Sequence, residues 1–188
     1  MSKVLVPLAN GCEEIEAITI IDVLRRAEIQ VITASLDIGQ QVTPITASRG
    51  IVLIPDMTLD DALCHHFDML VLPGGLPGAD HLDNDQRIHS LLTKMAATGK
   101  YTAAICAAPK ILAHAQLLEG KSATSYPGFI DKMNLDNTHV TDEAVVIDAK
   151  VITSRGPATA MAFALSLVEV LAGKAKRDEI ASGLLFKE

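Results

Sequence analysis

Short, nearly continuous apolar runs alternate along this chain with segments of helical periodicity, and this alternation restricts the fold more than any other feature. The predicted strands are KVLVPLA (3–9), QVITAS (30–35), GIVLIP (50–55), FDMLVL (67–72), YTAAIC (101–106), AVVID (144–148) and KVITS (150–154). A strand that is apolar at nearly every position has both faces buried, as in parallel sheets. Because helices separate these strands, we expect a doubly wound α/β fold, with helices on both faces of a mostly parallel sheet.

Five segments of the chain predict helices. They cover residues 13–27, about 85–98, the residues after Cys106 to about 118, residues 157–173 and about 175–186. The fourth begins with Pro157 and ends at Gly173, the positions at which helices prefer these two residues. The sequence has no internal repeat and no linker, so residues 1–188 are predicted to form a single domain.

Composition and charge exclude several classes of function. The chain of 188 residues carries a formal net charge of −7 with a pI of about 5.3, which argues against a nucleic-acid surface. No apolar run approaches the ~20 residues needed to span a bilayer, and MSKVLVPLANG at the start does not fit a signal peptide. Three cysteines do not suggest a disulfide framework. The expected compartment is the cytoplasm.

Four loops follow predicted strands and carry the residues of greatest chemical interest. They are Asn10–Glu13, Pro73–Gly75, Cys106–Ala108 and Ser154–Pro157. In open α/β sheets, ligands bind beyond the carboxyl ends of the strands. The four loops are therefore expected to meet at one edge of the sheet and to form the functional site there.

Cys106 lies where the strand YTAAIC stops and a helix with Pro109 in its first turn begins. A side chain on such a sharp turn stands above the sheet, as in a nucleophile elbow. The positive end of the following helix favours an anion and lowers a thiol pKa. These features predict a reactive thiolate at neutral pH. The alternative is a small buried side chain that only packs in the core.

Glu16 falls in the middle of the apolar stripe of the first predicted helix, among Ile20, Val23 and Leu24. A carboxyl group in such a position must be protonated or paired, and burial raises its pKa. We therefore expect Glu16 to be a general acid or a hydrogen-bond donor at neutral pH. The alternative is a Glu at the edge of the stripe that reaches solvent or caps an N–H group. The preceding Glu13 and Glu14 are predicted only to favour the helix N-terminus.

The adjacent Gly74 and Gly75 let backbone N–H groups approach a ligand closely, so they are candidates for an oxyanion hole beside Cys106. An ordinary turn is the alternative, and the loop matches neither a dinucleotide nor a phosphate-loop pattern. His81, in the same loop, is the one histidine with a predicted reach to the site. The run Cys64-His65-His66 lacks a partner cluster with ligand spacing, so no metal site is predicted.

Five motifs in this order resemble the ThiJ/PfpI superfamily, in the branch of the parkinsonism-associated deglycase and bacterial YajL. They are GCEEIEA (11–17), SRGIVL (48–53), VLPGG (71–75), AAICAAP (103–109) and TSRGPATA (153–160). The resemblance spans nearly the whole chain. It implies a flavodoxin-like fold, a homodimer and no cofactor.

The resemblance also implies roles for individual residues. Cys106 corresponds to the reactive, oxidation-sensitive cysteine and Glu16 to the acid that hydrogen-bonds it, with Gly74, Gly75 and the amide of Ala107 at the oxyanion site. Arg49 and Arg26 correspond to arginines near the dimer interface and pocket, and Gly156 and Pro157 to pocket-lining residues.

Two departures from the superfamily's patterns bear on the chemistry. Ala107 stands where the protease-like members have His, which argues against peptidase activity. Tyr126 replaces a pocket His, so proton transfer would depend on Glu16 and water, or on Tyr126 as a donor.

Three hypotheses about function use these residues. In the first, an enzyme attacks methylglyoxal, or its adduct with an amine or thiol, through Cys106 and releases lactate. In the second, the protein is a redox sensor or stress-responsive chaperone whose Cys106 forms sulfenic or sulfinic acid. In the third, Cys106 is vestigial. As a side hypothesis, Cys12 resolves an oxidised Cys106 as a disulfide.

Overall fold

A twisted sheet forms the centre of the computed structural model, which describes residues 1–39 and 41–187. In chain order the strands are β1 (Lys3–Leu8), β2 (Gln30–Ser35), β3 (Ile45–Thr46), β4 (Val52–Leu53), β5 (Met57–Thr58), β6 (Met69–Leu72), β7 (Tyr101–Ile105), β8 (Ser122–Ala123), β9 (His139–Val140), β10 (Val145–Asp148) and β11 (Val151–Ser154). Within these residues, seven strands form the main sheet, and two two-stranded ribbons, β3–β4 and β8–β9, lie outside it.

The strand order of the main sheet is β10-β11-β7-β6-β1-β2-β5. All neighbouring pairs are parallel except β10 and β11. The chain runs outward from β1 to β2 and β5, and then returns to β6 on the other side of β1. This reversal creates a crevice between the carboxyl ends of β1 and β6, where open α/β sheets bind ligands.

Helices cover both faces of the sheet, as the sequence predicted. They are α1 (Glu14–Arg26), α2 (Leu59–Ala62), α3 (Gly78–Asp83), α4 (Gln86–Ala97), α5 (Pro109–His114), α6 (Ala160–Ala172) and α7 (Lys174–Gly183), with 3-10 turns at Ile130–Lys132 and Pro157–Thr159. Apolar side chains of α1, α6 and α7 pack on one face, and those of α2 to α5 pack on the other. No helix in the described ranges is long and apolar enough to cross a membrane.

The apolar strands supply side chains to both cores. In β1, Val4 and Val6 face the α1–α6 core, whereas Leu5 faces the α4–α5 core, and all three are fully buried. Successive side chains of a strand point to opposite faces, so a strand between two helical layers must be apolar at every position. This requirement explains why the apolar runs predicted the strands of the main sheet.

The prediction for residues 50–55 was wrong in part. Only Val52 and Leu53 are in a strand there, and they pair with β3 in the outer ribbon instead of joining the main sheet. Ile54 is exposed, and the next residue is Pro55, which has no N–H to donate to a sheet. The strand that does join the sheet is the two-residue β5, which is too short to give a periodic signal.

The helix predicted from Pro157 also differs at its start. Residues Pro157–Thr159 form a 3-10 turn, and α6 begins at Ala160. The turn is closed by Thr159, whose Oγ1 accepts from the N–H of Gly156 at 3.1 Å.

Candidate active site

Cys106 occupies a sharp turn between β7 and α5. Its φ of 63° lies in the left-handed region, which non-glycine residues rarely adopt. Its N–H donates to the carbonyl of Ser154 at 2.9 Å, which ties the turn to the end of β11. The residue is 8% exposed. The elbow predicted from the sequence is therefore present, at the carboxyl edge of the sheet.

Glu16 reaches the same edge from the first turn of α1 and is completely buried. The helix start is fixed by Glu13, whose carboxylate accepts from the N–H of Glu16 at 2.8 Å. Oε2 of Glu16 accepts from the N–H of Gly74 at 2.9 Å. Oε1 is buried with no hydrogen-bond partner among the described residues. A buried acceptor without a donor is costly when charged, whereas a proton on Oε1 would make it a donor into the site.

Burial raises the pKa of Glu16 to about 7 from an ordinary value of 4.5. Hydrogen bonds from the Cys106 thiol and the Gly74 N–H act in the opposite direction, and the charge of Glu13 adds to the rise. Near neutral pH the carboxyl group is therefore present in both protonation states. It can accept a proton and return it within one reaction, as a general acid–base group must.

The thiol of Cys106 does not have the low pKa that the sequence predicted. Burial, followed by the charge and hydrogen bonding of Glu16, raises its pKa to about 12. Backbone N–H groups of Gly75 and Ala107 favour the thiolate but are outweighed. The prediction considered the helix that follows Cys106 but neither the burial of the thiol nor the adjacent Glu16, which have the larger effects. The resting group is a thiol whose proton can pass to the adjacent carboxylate.

The two glycines of the loop after β6 have different roles. The amide of Gly75, like that of Ala107, interacts with the sulfur of Cys106. The amide of Gly74, expected to face an oxyanion, is directed to Glu16 instead. A Cβ at Gly74 would lie 2.7 Å from Cβ of Cys106 and 2.8 Å from Oε2 of Glu16. Gly74 therefore lets the acid and the thiol approach each other.

Gly156 and Tyr126 also lie near the sulfur. A Cβ at Gly156 would be 4.0 Å from Sγ of Cys106 and 3.2 Å from Cδ2 of Tyr126. The N–H of Tyr126 donates to the carbonyl of Cys106 at 2.9 Å. Pro157 follows Gly156 as the first residue of the 3-10 turn. The structure thus places Gly156 and Tyr126 beside the thiol.

The described contacts of three other candidates are with groups other than the sulfur. Arg26 ends α1, ten residues beyond Glu16 or roughly 15 Å along the helix, and it pairs with Asp22 at 2.7 Å. Arg49 is exposed on the turn before β4, where its N–H donates to Glu14. His81 is exposed on α3 and lines surface cavities of about 470 and 280 Å³ whose linings include neither Cys106 nor Glu16.

Glu14 has a larger role than the sequence indicated. Its side chain is buried, and its carboxylate accepts from the hydroxyl of Ser48 and the N–H of Arg49, each at 2.7 Å. It therefore anchors the turn before β4 to the start of α1. The amphipathic pattern gave no signal for this, because the partner segment is more than thirty residues away in sequence.

The described residues contain three free thiols and no group of three or more His, Cys, Asp and Glu side chains that could hold a metal. Cys12 is fully buried, and burial raises its pKa to about 11. Cys64 is exposed. A disulfide between Cys12 and Cys106 stays a prediction.

Fold and site together define a flavodoxin-like α/β protein with a cysteine on a strand-to-helix elbow and a buried carboxylic acid beside it. More particularly, the chain belongs to the DJ-1/PfpI family, whose model matches residues 2–170. The family and the fold expected from the sequence motifs are thereby confirmed.

Three relatives illustrate the similarity. "Protein dj-1beta" of Drosophila melanogaster is 45% identical over 186 residues, 98% of each chain. "Glutathione-independent glyoxalase DJR-1.2" of Caenorhabditis elegans is 37% identical over 176 residues, covering 93% of this chain and 91% of the relative. The solved structure of oxidised Toxoplasma gondii DJ-1 is 38% identical, covers 100% of both chains and superposes with a TM-score of 0.93.

Gly74→Ala tests the close approach of acid and thiol. The new Cβ would also lie 2.8 Å from the carbonyl oxygen of Ile105, so we expect a loss of about 2 kcal/mol in the free energy of unfolding. Urea denaturation measures the loss. The matched control is Gly183→Ala at the end of α7, where nothing lies within 4 Å of the new Cβ and no loss is expected. Equal stability of the two variants would contradict the tight packing around Gly74.

Stability should depend on pH through Glu16. Its pKa in the folded chain, about 7, exceeds the ordinary 4.5, so the folded state holds a proton that the unfolded state releases. This contribution is fully present below pH 4.5 and is lost as pH rises through 7, by about 3 kcal/mol in total. Urea denaturation of wild type and Glu16→Gln between pH 4.5 and 8 should show curves that converge or cross. Curves that stay parallel would contradict the raised pKa, and Glu143→Gln, at an exposed position, serves as control.

Proposed function

We propose that this protein is a cofactor-independent glyoxalase or deglycase that converts methylglyoxal, or its adducts, to lactate through Cys106. The observation that carries the proposal is the fully buried Glu16 carboxyl group, with an unpartnered oxygen, next to a thiol on an elbow. A general acid–base group and a nucleophile in contact are what such a reaction requires.

In the first step, the ionised form of Glu16 takes the thiol proton as the sulfur attacks the aldehyde carbon. The new C–S bond forms as the C=O π bond opens, and the negative charge passes from sulfur to oxygen. The N–H groups of Gly75 and Ala107, already directed at the sulfur, are placed to stabilise this charge. Glu16 then returns the proton to this oxygen, which gives a hemithioacetal and restores the carboxylate. The high thiol pKa means that little thiolate is present before substrate arrives.

In the second step, Glu16 moves a proton between the two former carbonyl carbons. Its carboxylate removes the hydrogen on the carbon bonded to sulfur, and an enediolate forms. The hydroxyl proton of this carbon passes to the oxygen of the neighbouring carbon. Return of a proton to the neighbouring carbon leaves a thioester of lactate on Cys106. Water then cleaves the thioester, which releases lactate and restores the thiol, so the net reaction adds one water to methylglyoxal.

The comparisons support this substrate class, because a nematode relative that matches 93% of the chain is named a glutathione-independent glyoxalase. The raised pKa of Glu16 supports the proton-transfer steps. Tyr126, with its exposed ring beside the sulfur, is a second candidate proton donor.

The test is lactate formation from methylglyoxal in amine-free buffer by wild type, Cys106→Ser and Glu16→Gln. We expect many turnovers by wild type and a loss of at least about 100-fold in each variant. Circular dichroism confirms that each variant is folded. No lactate beyond one equivalent from wild type, or full activity in Cys106→Ser, would overturn the proposal.

The alternative function is oxidation sensing in a stress-responsive protein. The observation that favours it is the same unpartnered Glu16 oxygen, which in its protonated form can donate to an oxygen of a sulfinate on Cys106. A solved relative is described as oxidised. A stoichiometric reaction of Cys106 with peroxide, in the absence of any glyoxalase turnover, would favour this function.

We also propose that two copies of the chain form a dimer through an apolar surface, which we call the α1–β4 patch. It consists of Ile15, Ile18, Ile51, Val52 and Ile54, which are between 40% and 78% exposed. Ile18 of α1 and Ile54 after β4 line one hollow of about 270 Å³, which joins the two parts of the patch. Contiguous exposed apolar surface of this kind marks a protein interface.

Val52→Asp tests the dimer. A charge in the centre of the patch cannot be buried without a partner, so the variant is expected to be monomeric where wild type is dimeric. Sedimentation velocity at micromolar concentration gives the mass of each. The matched control is Ile147→Asp on β10, which is also about half exposed and should leave the dimer intact. Monomeric wild type, or a dimeric Val52→Asp, would rule out this interface.

A further inference from the structure

We propose that Tyr126 determines the size specificity of the Cys106 site. Its ring limits, by steric contact, the size of the substituent on the carbonyl group that the thiol attacks. The substrate class in this statement rests on the proposed function. The steric effect of the ring is a property of the folded chain, so the alkylation rates of the Cys106 thiol can measure it without turnover.

The ring and the reacting atom border the same position. A Cβ of Gly156 would lie 3.2 Å from Cδ2 of Tyr126 and 4.0 Å from Sγ of Cys106. Tyr126 is 49% exposed, whereas Cys106 is 8% exposed. A partly exposed aromatic side chain thus lies near a buried thiol, where it can limit the size of a group that reaches the sulfur.

The backbone of Tyr126 is held by several hydrogen bonds. Its N–H donates to the carbonyl of Cys106, and its carbonyl accepts from the hydroxyl of Ser125 at 2.9 Å. The same hydroxyl accepts from the N–H of Ile130 at 3.3 Å. These bonds fix the point from which the ring projects relative to the elbow.

A second aromatic ring supports the first. Phe129 meets Tyr126 edge to face, with centroids 6.4 Å apart and an interplanar angle of 75°. The ammonium group of Lys110 lies 5.9 Å above the Phe129 ring and is paired with Asp80. Lys110 belongs to α5 and Asp80 to α3, so these contacts link Phe129 to the helices that follow β7 and β6.

The other groups that the structure places at the sulfur offer little bulk. They are the backbone amides of Gly75 and Ala107, the carboxyl group of Glu16 and the α-carbon of Gly156. Tyr126 has a larger and more exposed side chain than any of these groups. We therefore expect an aryl substituent to compete with the ring for space near the sulfur more strongly than a methyl substituent does.

The test compares two alkylating agents of equal chemistry and different size, iodoacetamide and N-phenyl iodoacetamide. Mass spectrometry of the Cys106 peptide gives the alkylation rate with each reagent for wild type, Tyr126→Phe and Tyr126→Ala. Both reagents react with the same thiolate, so the ratio of the two rates is independent of the thiol pKa. The exposed Cys64 in the same molecule gives the intrinsic ratio of the reagents.

At Cys106, the rate with the large reagent divided by the rate with the small one should be about tenfold higher in Tyr126→Ala than in wild type. Steric contacts in a pocket typically change relative rates by about this factor. Tyr126→Phe, which keeps the ring, should match wild type. The ratio at Cys64 should be the same in all three proteins. An unchanged ratio at Cys106 in a folded Tyr126→Ala protein would overturn the proposal.

A turnover experiment separates this inference from the proposed function. Phenylglyoxal and methylglyoxal are compared as substrates, and Tyr126→Ala should raise the relative kcat/KM for phenylglyoxal by a similar factor. Tyr101→Phe, at the opposite edge of the sheet, should change neither rate. If wild type turns over neither substrate but the alkylation ratio is higher in Tyr126→Ala, the proposed function is wrong and the steric role of Tyr126 is supported. If wild type turns over substrate but Tyr126→Ala changes neither the alkylation ratio nor the relative kcat/KM, the steric role of Tyr126 is wrong and the proposed function is supported.

Discussion

The contact between the carboxyl group of Glu16 and the thiol of Cys106, in the crevice between β1 and β6, is the interaction on which the site depends. Burial raises the pKa of both groups, the carboxyl group to about 7 and the thiol to about 12. The proton therefore stays on the sulfur at rest, and its transfer to the carboxylate has to accompany formation of a bond by the sulfur. A solvent-exposed Glu in the same position would be a permanent anion and could not donate a hydrogen bond.

The packing around this pair explains the glycines of the loop after β6. A side chain at Gly74 would collide with both members of the pair, and one at Gly78 would come within 2.5 Å of the backbone of Cys12. The loops after β1 and β6 are thus pressed together over the crevice. The left-handed φ of Cys106 adds strain at the same point, as is common at functional sites.

Both proposed functions, glyoxalase and oxidation sensor, would use the same two residues, and they differ in the molecule that reacts with the sulfur. An aldehyde carbon leads to a hemithioacetal, and Glu16 then acts as a shuttle. A peroxide oxidises the sulfur, and protonated Glu16 then holds the product through a hydrogen bond. Access to the sulfur therefore matters as much as its chemistry, and Tyr126 is the residue that we propose controls this access.

The sequence by itself determined the fold class, the elbow at Cys106 and a buried acid at Glu16, because apolar runs, helix punctuation and one acid within an apolar stripe are local patterns. The pairing of these two residues was implied only by the resemblance of the motifs to a known superfamily. Tertiary structure alone decided the remaining features. They include the direction of the Gly74 amide, the role of Glu14, the placement of Arg26 away from the site and the raised thiol pKa. Each of these depends on which distant segments meet, and on how much water they exclude, and neither quantity is encoded in the spacing of residues along one element.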